Sequence, residues 1–296
     1  MRTLIIGNSY FGKKITKLLN SKTNDKFFYV SNGTSLINNI RYILLLFICN
    51  QVYSISGTNA PGKSLKLAYL LRKRIIQHFI GSDVLDACNA HSKGKDSPNF
   101  IKYSTTLCEV SWIQEELKTI GISSKICPLF YTTSSNTPPS PFPQQFTVLT
   151  YVGKDKEDFY GLQTILEAAI KLPYIKFIIS GSTPVVPKLE NIQVVGWVNN
   201  LSDYIKGAHV YLRIPKHDGL AFTLLESLSH GRYVITNNNF PATIFASSTN
   251  EIISNLEELY KKHIYCDLPL NQEGVTLIKQ EYNVDTVFSK IYSFIK

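Results

Sequence analysis

Nothing in the 296 residues approaches a membrane span. The longest apolar run, Tyr42 to Cys49, is closed by Asn50 and Gln51, far short of the roughly 18 to 20 residues that crossing a bilayer needs. The first residues pass straight into a strand-like run, Thr3 to Ile6, without a long apolar segment or a small-residue cleavage site. No secretory leader is expected, and a cytoplasmic location follows as the default. Cysteine is scarce: Cys49, Cys88, Cys108, Cys127 and Cys266 share no short paired spacing. An odd, scattered set without a leader argues against a disulfide framework or a structural zinc site, so buried thiols are expected.

Acidic residues are thin in the first half. Residues 1 to 145 hold 17 Lys and Arg against 7 Asp and Glu, whereas residues 146 to 296 hold 14 against 15. A surface facing an anionic membrane, a phosphate-bearing acceptor or nucleic acid would carry such an imbalance. A merely solvated surface accounts for it equally well, because Arg72-Lys73-Arg74 is its only three-residue cluster. With 44% hydrophobic residues the chain can build a large core, and its length points to two domains, since single cores seldom grow beyond roughly 250 residues.

The stretch from Val210 to Asn237 organises the second half. Val210 to Leu212 are β-formers with no breaker before Pro215; Leu220 to Ser229 has apolar residues at helical spacing; Gly231 stops the helix, and Tyr233 to Thr236 is again β-rich. Asp218 lies in the loop before the helix and Glu226 eight residues later, so both are expected near one side of it. That arrangement suits a ligand with two separated hydroxyl-bearing parts.

In chain order, Thr3 to Leu19 reads as a βα unit whose loop is bounded by Gly7 and Gly12, leaving amides at a helix N-terminus where an anion or sugar can approach. Phe27 to Val30 and Val52 to Ser56 read as strands, with a helix over Ser35 to Cys49 between them. Gly57-Thr-Asn-Ala-Pro-Gly-Lys-Ser64 then matches the Walker A pattern at every required position. Two strands already precede it, no clean Walker B strand follows (Asp83 is the only candidate acid), and a second nucleotide-binding candidate occupies the C-terminal half. An ordinary βα loop is therefore preferred. Arg74 to Asp83 reads as a strand ending in Gly81, Ser82 and Asp83, at the carboxyl end of the sheet where ligands bind in open α/β folds. His78 is expected to be packed and hydrogen-bonded. Asp86 to Asn99 reads as loop-rich, Val110 to Thr119 as a helix, and Lys125 to Phe130 as the last strand of a domain spanning residues 1–131.

Residues 132–145, uncharged and holding four prolines in six positions, read as a linker. From 146 to 296 strand, glycine loop and helix recur: strand Phe146 to Val152, polar loop Gly153 to Gly161, helix Leu162 to Leu172, strand Lys176 to Ile179, turn Ser180-Gly181-Ser182, strand Ile192 to Val195 and the segment from Gly196 and Trp197. Helices are expected over Glu251 to His263 and Thr286 to Ile295.

At Asp218-x7-Glu226 the sequence resembles retaining GT-B glycosyltransferases of the family-four group, with Asp218 in place of the usual first Glu. Gly219, Leu224, Leu225, Gly231, Val234 and Ile235 match around it, as do Tyr151-Val-Gly153 with the Gly161 helix, the Ser180 to Ser182 turn and Val195 to Val198. The likeness is strong over residues 146 to 240 and looser over 1 to 130. It implies two doubly wound, Rossmann-like domains facing across a cleft, the last helix crossing back onto the first.

The implied reaction is metal-independent transfer of a hexose, with retention, from a nucleoside diphosphate sugar to an acceptor hydroxyl. UDP- or GDP-sugars are the expected donors, and no cofactor or metal is implied. Asp218 would bind donor-sugar hydroxyls and Glu226 the ribose. The amides of Gly219, Leu220, Ala221 and Phe222 would hold the pyrophosphate, helped by Lys154, Lys156, Arg213 and Lys216, with His217 beside them. Ser180, Gly181, Ser182 and Trp197 would approach the base, although the Trp197 ring is expected in the core. Tyr160 stands where the family has a phosphate-binding Lys, so one expected contact is missing. Gly7, Gly12, Gly81, Ser82 and Asp83 would line the acceptor side. The acceptor is expected to be an anionic lipid, glycan or protein, with peripheral membrane contact through the basic half; nucleic acid is disfavoured. The rival readings are a Walker A nucleotide hydrolase built on Gly57 to Ser64 and a non-catalytic sugar-nucleotide-binding module.

Overall fold

The computed structural model describes residues 1–31, 35–132 and 138–296. The chain divides into two compact units, Met1–Tyr131 with Val284–Lys296, and Thr132–Asn283.

The first unit carries β1 (Arg2–Gly7), α1 (Ser9–Lys22), β2 (Lys26–Ser31), α2 (Leu36–Ile48), β3 (Gln51–Ile55), α3 (Lys63–Leu70), β4 (Arg74–Phe79), α4 (Ser82–Ser92), α5 (Pro98–Tyr103), β5 (Thr105–Cys108), α6 (Ser111–Thr119) and β6 (Lys125–Ile126). Its strands form one parallel sheet in the order β2-β1-β3-β4-β5-β6. Parallel strands covered on both faces need apolar residues at consecutive positions. Leu4, Ile5 and Ile6 of β1 meet that need: Ile5 packs with Ile15 and Leu19 of α1, while Leu4 and Ile6 point the other way, to Tyr42 and Leu46 of α2.

The second unit carries β7 (Thr147–Val152), α7 (Leu162–Lys171), β8 (Lys176–Gly181), β9 (Ile192–Gly196), α8 (Ser202–Lys206), β10 (Val210–Arg213), α9 (Phe222–Ser229), β11 (Tyr233–Thr236), β12 (Ile244–Phe245), α10 (Thr249–Ile264) and α11 (Gln272–Glu281). Its sheet is also parallel, in the order β12-β11-β10-β7-β8-β9. Val148, Val152, Phe177 and Leu212 anchor its core with Ile165 of α7 and Leu256 of α10.

The final helix, α12 (Val284–Ile295), belongs to the first unit and buries Val287, Ile291 and Ile295 beside α1. Arg74 closes its C-terminus, donating to the carbonyls of Ile295 at 2.9 Å and Phe294 at 2.7 Å, a cation placed against the negative end of the helix dipole.

Several expectations change. Asp86 to Asn99 is not loop-rich, because α4 and the start of α5 occupy most of it. The strand expected over Lys125 to Phe130 ends at Ile126, and α11 and β12 were not anticipated. The expected linker is only partly a spacer. Residues 133–137 lie outside the described residues, but Ser140 to Gln145 dock on the second unit: Arg232, fully buried, donates to the Ser140 hydroxyl at 2.7 Å and its carbonyl at 3.0 Å, and Phe142 stacks on His209 at 4.6 Å. Proline-rich composition signals an extended path; it carries no information about what that path lies against.

Candidate functional site

In the second sheet the connection reverses at β7, which is flanked by β8 on one side and β10 on the other. The loops leaving the carboxyl ends of β7 and β10 therefore open at a topological switch point, where doubly wound folds bind ligands. Those loops are Gly153 to Gly161 and Ile214 to Ala221, and they are tied together by the Lys216 amide donating to the Phe159 carbonyl at 2.8 Å.

Arg213, the last residue of β10, turns its guanidinium into this region. It lies over the Tyr160 ring at 5.1 Å and the Tyr151 ring at 5.8 Å, and its Nε donates to Asp218 Oδ2 at 2.7 Å. Burial opposes its charge, but Tyr211 and Asp218 outweigh that and raise its pKa. Arg213 is thus engaged with Asp218, the acid expected to hold the sugar, and sets the direction of that carboxylate. Tyr160 stands against Gly153, where an added Cβ would meet its ring at 2.6 Å. The residue that departs from the family pattern supplies the aromatic floor under Arg213. Lys216 pairs with Asp158, while Lys154 and Lys156 are exposed on the same loop. His217 is half-buried in the β10 loop.

The helix α9 begins at Phe222, later than the expected Leu220, so Gly219, Leu220 and Ala221 are loop residues leading into it. The Leu224 and Leu225 amides turn back to the Ala221 carbonyl, whereas the amides of Gly219, Leu220 and Ala221 donate to no protein group among the described residues. An anion meeting this helix entrance would find donors and the positive end of the dipole.

Glu226 sits one turn into α9, half-buried. Its carboxylate has no hydrogen-bond or ion-pair partner among the described residues. Burial raises its pKa, opposed by the charge of Lys206 on α8. A half-buried carboxylate without a donor has unmet hydrogen-bonding capacity, which vicinal hydroxyls would satisfy.

At the end of β8, Gly181 takes φ +100°, and a Cβ there would meet the Tyr151 ring and the Val152 carbonyl, each at 2.5 Å. The Ser180 hydroxyl is used within the sheet, donating to the Thr150 carbonyl at 2.9 Å, whereas the buried Ser182 hydroxyl has no partner among the described residues. Trp197 is 73% exposed, so the expectation that its ring belongs to the core is wrong. It follows the turn at Gly196, whose φ of +68° carries the chain out of β9 to the surface. Sequence reasoning missed Lys206 beside Glu226; with no motif around it, only the packing of α8 on α9 brings it there.

In the first unit the switch point lies between β1 and β3. A cavity of about 360 Å³ opens there, bringing together Gly7, Ser82 and Asp83 with Asn8 and Ser9. Two expected cleft residues have other roles. Gly12 lies inside α1 facing the Tyr29 ring, which a Cβ would meet at 2.1 Å, so it is a packing glycine. The Asp83 carboxylate, though it reaches the cavity wall, accepts from the amides of Gly57 at 2.7 Å, Ile80 at 3.0 Å and Gly81 at 2.9 Å, which holds two loops together. Gly81, with φ +146°, makes the turn that permits this.

The Walker-like segment has the expected strand-loop-helix setting, with α3 starting at Lys63. Three of its amides are committed elsewhere: Gly57 to Asp83, Thr58 to the Gln77 side chain at 2.9 Å, and Ala60 to the Thr58 hydroxyl at 3.1 Å. A phosphate cradle needs its donors turned into the loop, and the turning away of these three favours an ordinary βα connection.

No family model and no curated sequence matches the chain. Solved structures do share its fold. It is similar to sucrose-phosphate synthase from Thermosynechococcus elongatus, with a TM-score of 0.73 at 9% identity, covering 100% of this chain and 98% of that one. It is similar to HepE from Anabaena, solved in complex with UDP and glucose, with a TM-score of 0.71 at 9% identity, covering 100% and 99%. WaaG, a glycosyltransferase involved in lipopolysaccharide biosynthesis, aligns over 100% of both chains at 11% identity with a TM-score of 0.56. The two Rossmann-like units thus have the GT-B fold.

Proposed function

We propose that the chain is a glycosyltransferase that moves a hexose from a nucleoside diphosphate sugar to an acceptor hydroxyl, with retention and without a metal ion. The observation that carries this reading is Glu226, a half-buried carboxylate without a partner among the described residues, one turn inside a helix whose approach leaves the amides of Gly219, Leu220 and Ala221 without an acceptor among those residues. The ribose hydroxyls would donate to Glu226, and the diphosphate would accept from those amides with Lys154 and Lys156 nearby. Asp218, directed by Arg213, would take donor-sugar hydroxyls. Being shorter than Glu, it reaches a different set of them. UDP or GDP is the proposed carrier, with Ser182 near the base, and the acceptor is assigned to the first unit beside Gly7 and Ser82.

In the transfer step the acceptor oxygen bonds to the anomeric carbon as the bond from that carbon to the phosphate oxygen breaks. The departing diphosphate takes the acceptor proton on the same face. No protein nucleophile is needed, and the enzyme contributes positioning and stabilisation of the developing charge. The test is titration calorimetry with UDP- and GDP-sugars: Glu226→Ala should remove donor binding, and unchanged affinity would refute the assignment. Turnover that survives a chelator supports the metal-free mechanism.

A donor-binding module without turnover is the second reading. It is favoured by the ion pairs that already occupy two of the expected cations, Arg213 with Asp218 and Lys216 with Asp158. Donor binding without transfer to any acceptor, even to water, would select it.

A further inference from the structure

The helix α2 is apolar on the side that should be polar. Tyr42 and Leu46 face the sheet and are buried. On the opposite side Leu36, Ile37, Ile40, Leu44, Phe47 and Ile48 all stand in solvent, Ile37 at 76%, Leu44 at 64% and Phe47 at 65% exposure. At 100° per residue these positions form one continuous arc along the outer surface. Leu70, at the end of the nearby helix α3, is also 75% exposed. The two helices are neighbours: the Tyr42 hydroxyl donates to the Ser64 carbonyl at 2.6 Å, and Lys73 Nζ to the Cys49 carbonyl at 2.8 Å. Monomer surfaces seldom leave so much contiguous apolar area to water without a partner.

Charge identifies the partner. From residue 26 to residue 82, across β2, α2, β3, α3 and β4, there is no Asp or Glu, while Lys26, Arg41, Lys63, Lys66 and Arg72 are basic and exposed, besides Lys73 and Arg74, whose side chains are bonded within the unit. The first unit holds nineteen Lys and Arg against eight Asp and Glu, a net +11, and the second twelve against fourteen. A second copy seated on the same face would bring like charges together, because a two-fold interface sets a patch against itself. Nucleic acid would leave the apolar arc in water. An anionic bilayer surface accepts both features, with leucine and phenylalanine entering the headgroup boundary and lysine and arginine meeting the lipid phosphates.

We propose that the outer face of α2 seats the first unit on an anionic phospholipid surface. The binding is interfacial, since no helix among the described residues is long and apolar enough to cross a membrane. It does not depend on the sugar-transfer reading.

The test uses the full chain with phosphatidylglycerol-phosphatidylcholine vesicles and with phosphatidylcholine vesicles alone, in a sedimentation assay. The chain should sediment with the anionic vesicles at low salt and be released several-fold by high salt. The double substitution Leu44→Gln with Phe47→Gln, on exposed positions that leave the core intact, should weaken binding at least about tenfold. Arg41→Glu with Lys66→Glu should weaken it and flatten the salt dependence. A thermal melt matching that of the unsubstituted chain shows that each variant is folded. Failure to bind anionic vesicles at low salt would overturn the proposal. So would equal binding by the Leu44→Gln/Phe47→Gln variant, or a dimer of the unsubstituted chain that these substitutions dissolve by light scattering.

Discussion

Arg213 Nε donates to Asp218 Oδ2 at 2.7 Å, and the two side chains are only 10% and 18% exposed. A pair so withdrawn from water is costly to break on one side alone, because the remaining charge loses the opposite charge that offset its burial. The four residues between them, Ile214 to His217, hold the shape that lets one side chain aim the other.

Replacing Arg213 with Met should therefore cost about 1 to 3 kcal/mol of stability in the second unit through the loss of this charge-assisted hydrogen bond. Donor affinity should change little, since Glu226 and the loop amides are untouched, but turnover should fall by about tenfold or more as Asp218 loses its direction. Asp218→Asn added to Arg213→Met should cost less than the two separate effects together. Unfolding curves and calorimetry separate the two consequences.

Glu226 makes donor binding depend on pH. Burial raises its pKa, so the carboxylate takes its proton at a pH above the roughly 4.3 of a free glutamate. The protonated form accepts fewer hydrogen bonds from ribose, and affinity should drop as pH falls through that raised value. Glu226→Gln should bind at least about tenfold more weakly at neutral pH and show no such limb. Calorimetry between mildly acidic and neutral pH reads both.

Two buried histidines set an acid limit on stability. His78 in the first unit, paired with the Tyr53 hydroxyl at 2.6 Å, and His209 in the second, accepting from the Thr147 amide at 3.2 Å, have pKa values lowered by burial from 6.5 to about 3. The unfolded chain takes up these protons below about pH 6.5 and the folded chain does not, so stability falls as pH drops from 6.5 toward 3. His209→Asn, uncharged throughout, should be less stable at neutral pH and should shed part of that acid slope. Urea midpoints followed by circular dichroism across this window test it.

The alternation of strand and helix was legible because a parallel sheet covered on both faces leaves a plain signature, as Leu4 to Ile6 and Val148 to Val152 show. Features depending on distant partners were not. The helix α4 opens on Gly81, Ser82 and Asp83, which read as a turn, and its buried side is Asp83, Val84 and Ala87. The Pro-rich segment gave no sign of Arg232, whose guanidinium reaches Ser140 from ninety-two positions away. The motif singled out Asp218 and Glu226, but only the folded chain distinguishes the acid held by Arg213 from the acid without a partner among the described residues. The apolar outer face of α2 was visible only once the buried face was known.

The Walker-like loop offers a last discrimination, because Asp83 and Lys63 have different roles in it. If the segment held phosphate, Lys63 would be its cation and Lys63→Ala would weaken nucleotide binding; with the Gly57 amide already given to Asp83, that substitution should leave nucleotide affinity unchanged. Asp83 is the structural residue. It receives three backbone amides from two loops, and Asn in its place has a single acceptor oxygen and brings donors with no partner there. Asp83→Asn should destabilise the first unit by about 1 to 3 kcal/mol, with hydrogen exchange rising first at Gly57 and Gly81. Donor affinity, which resides in the second unit, should be preserved at temperatures where the variant remains folded.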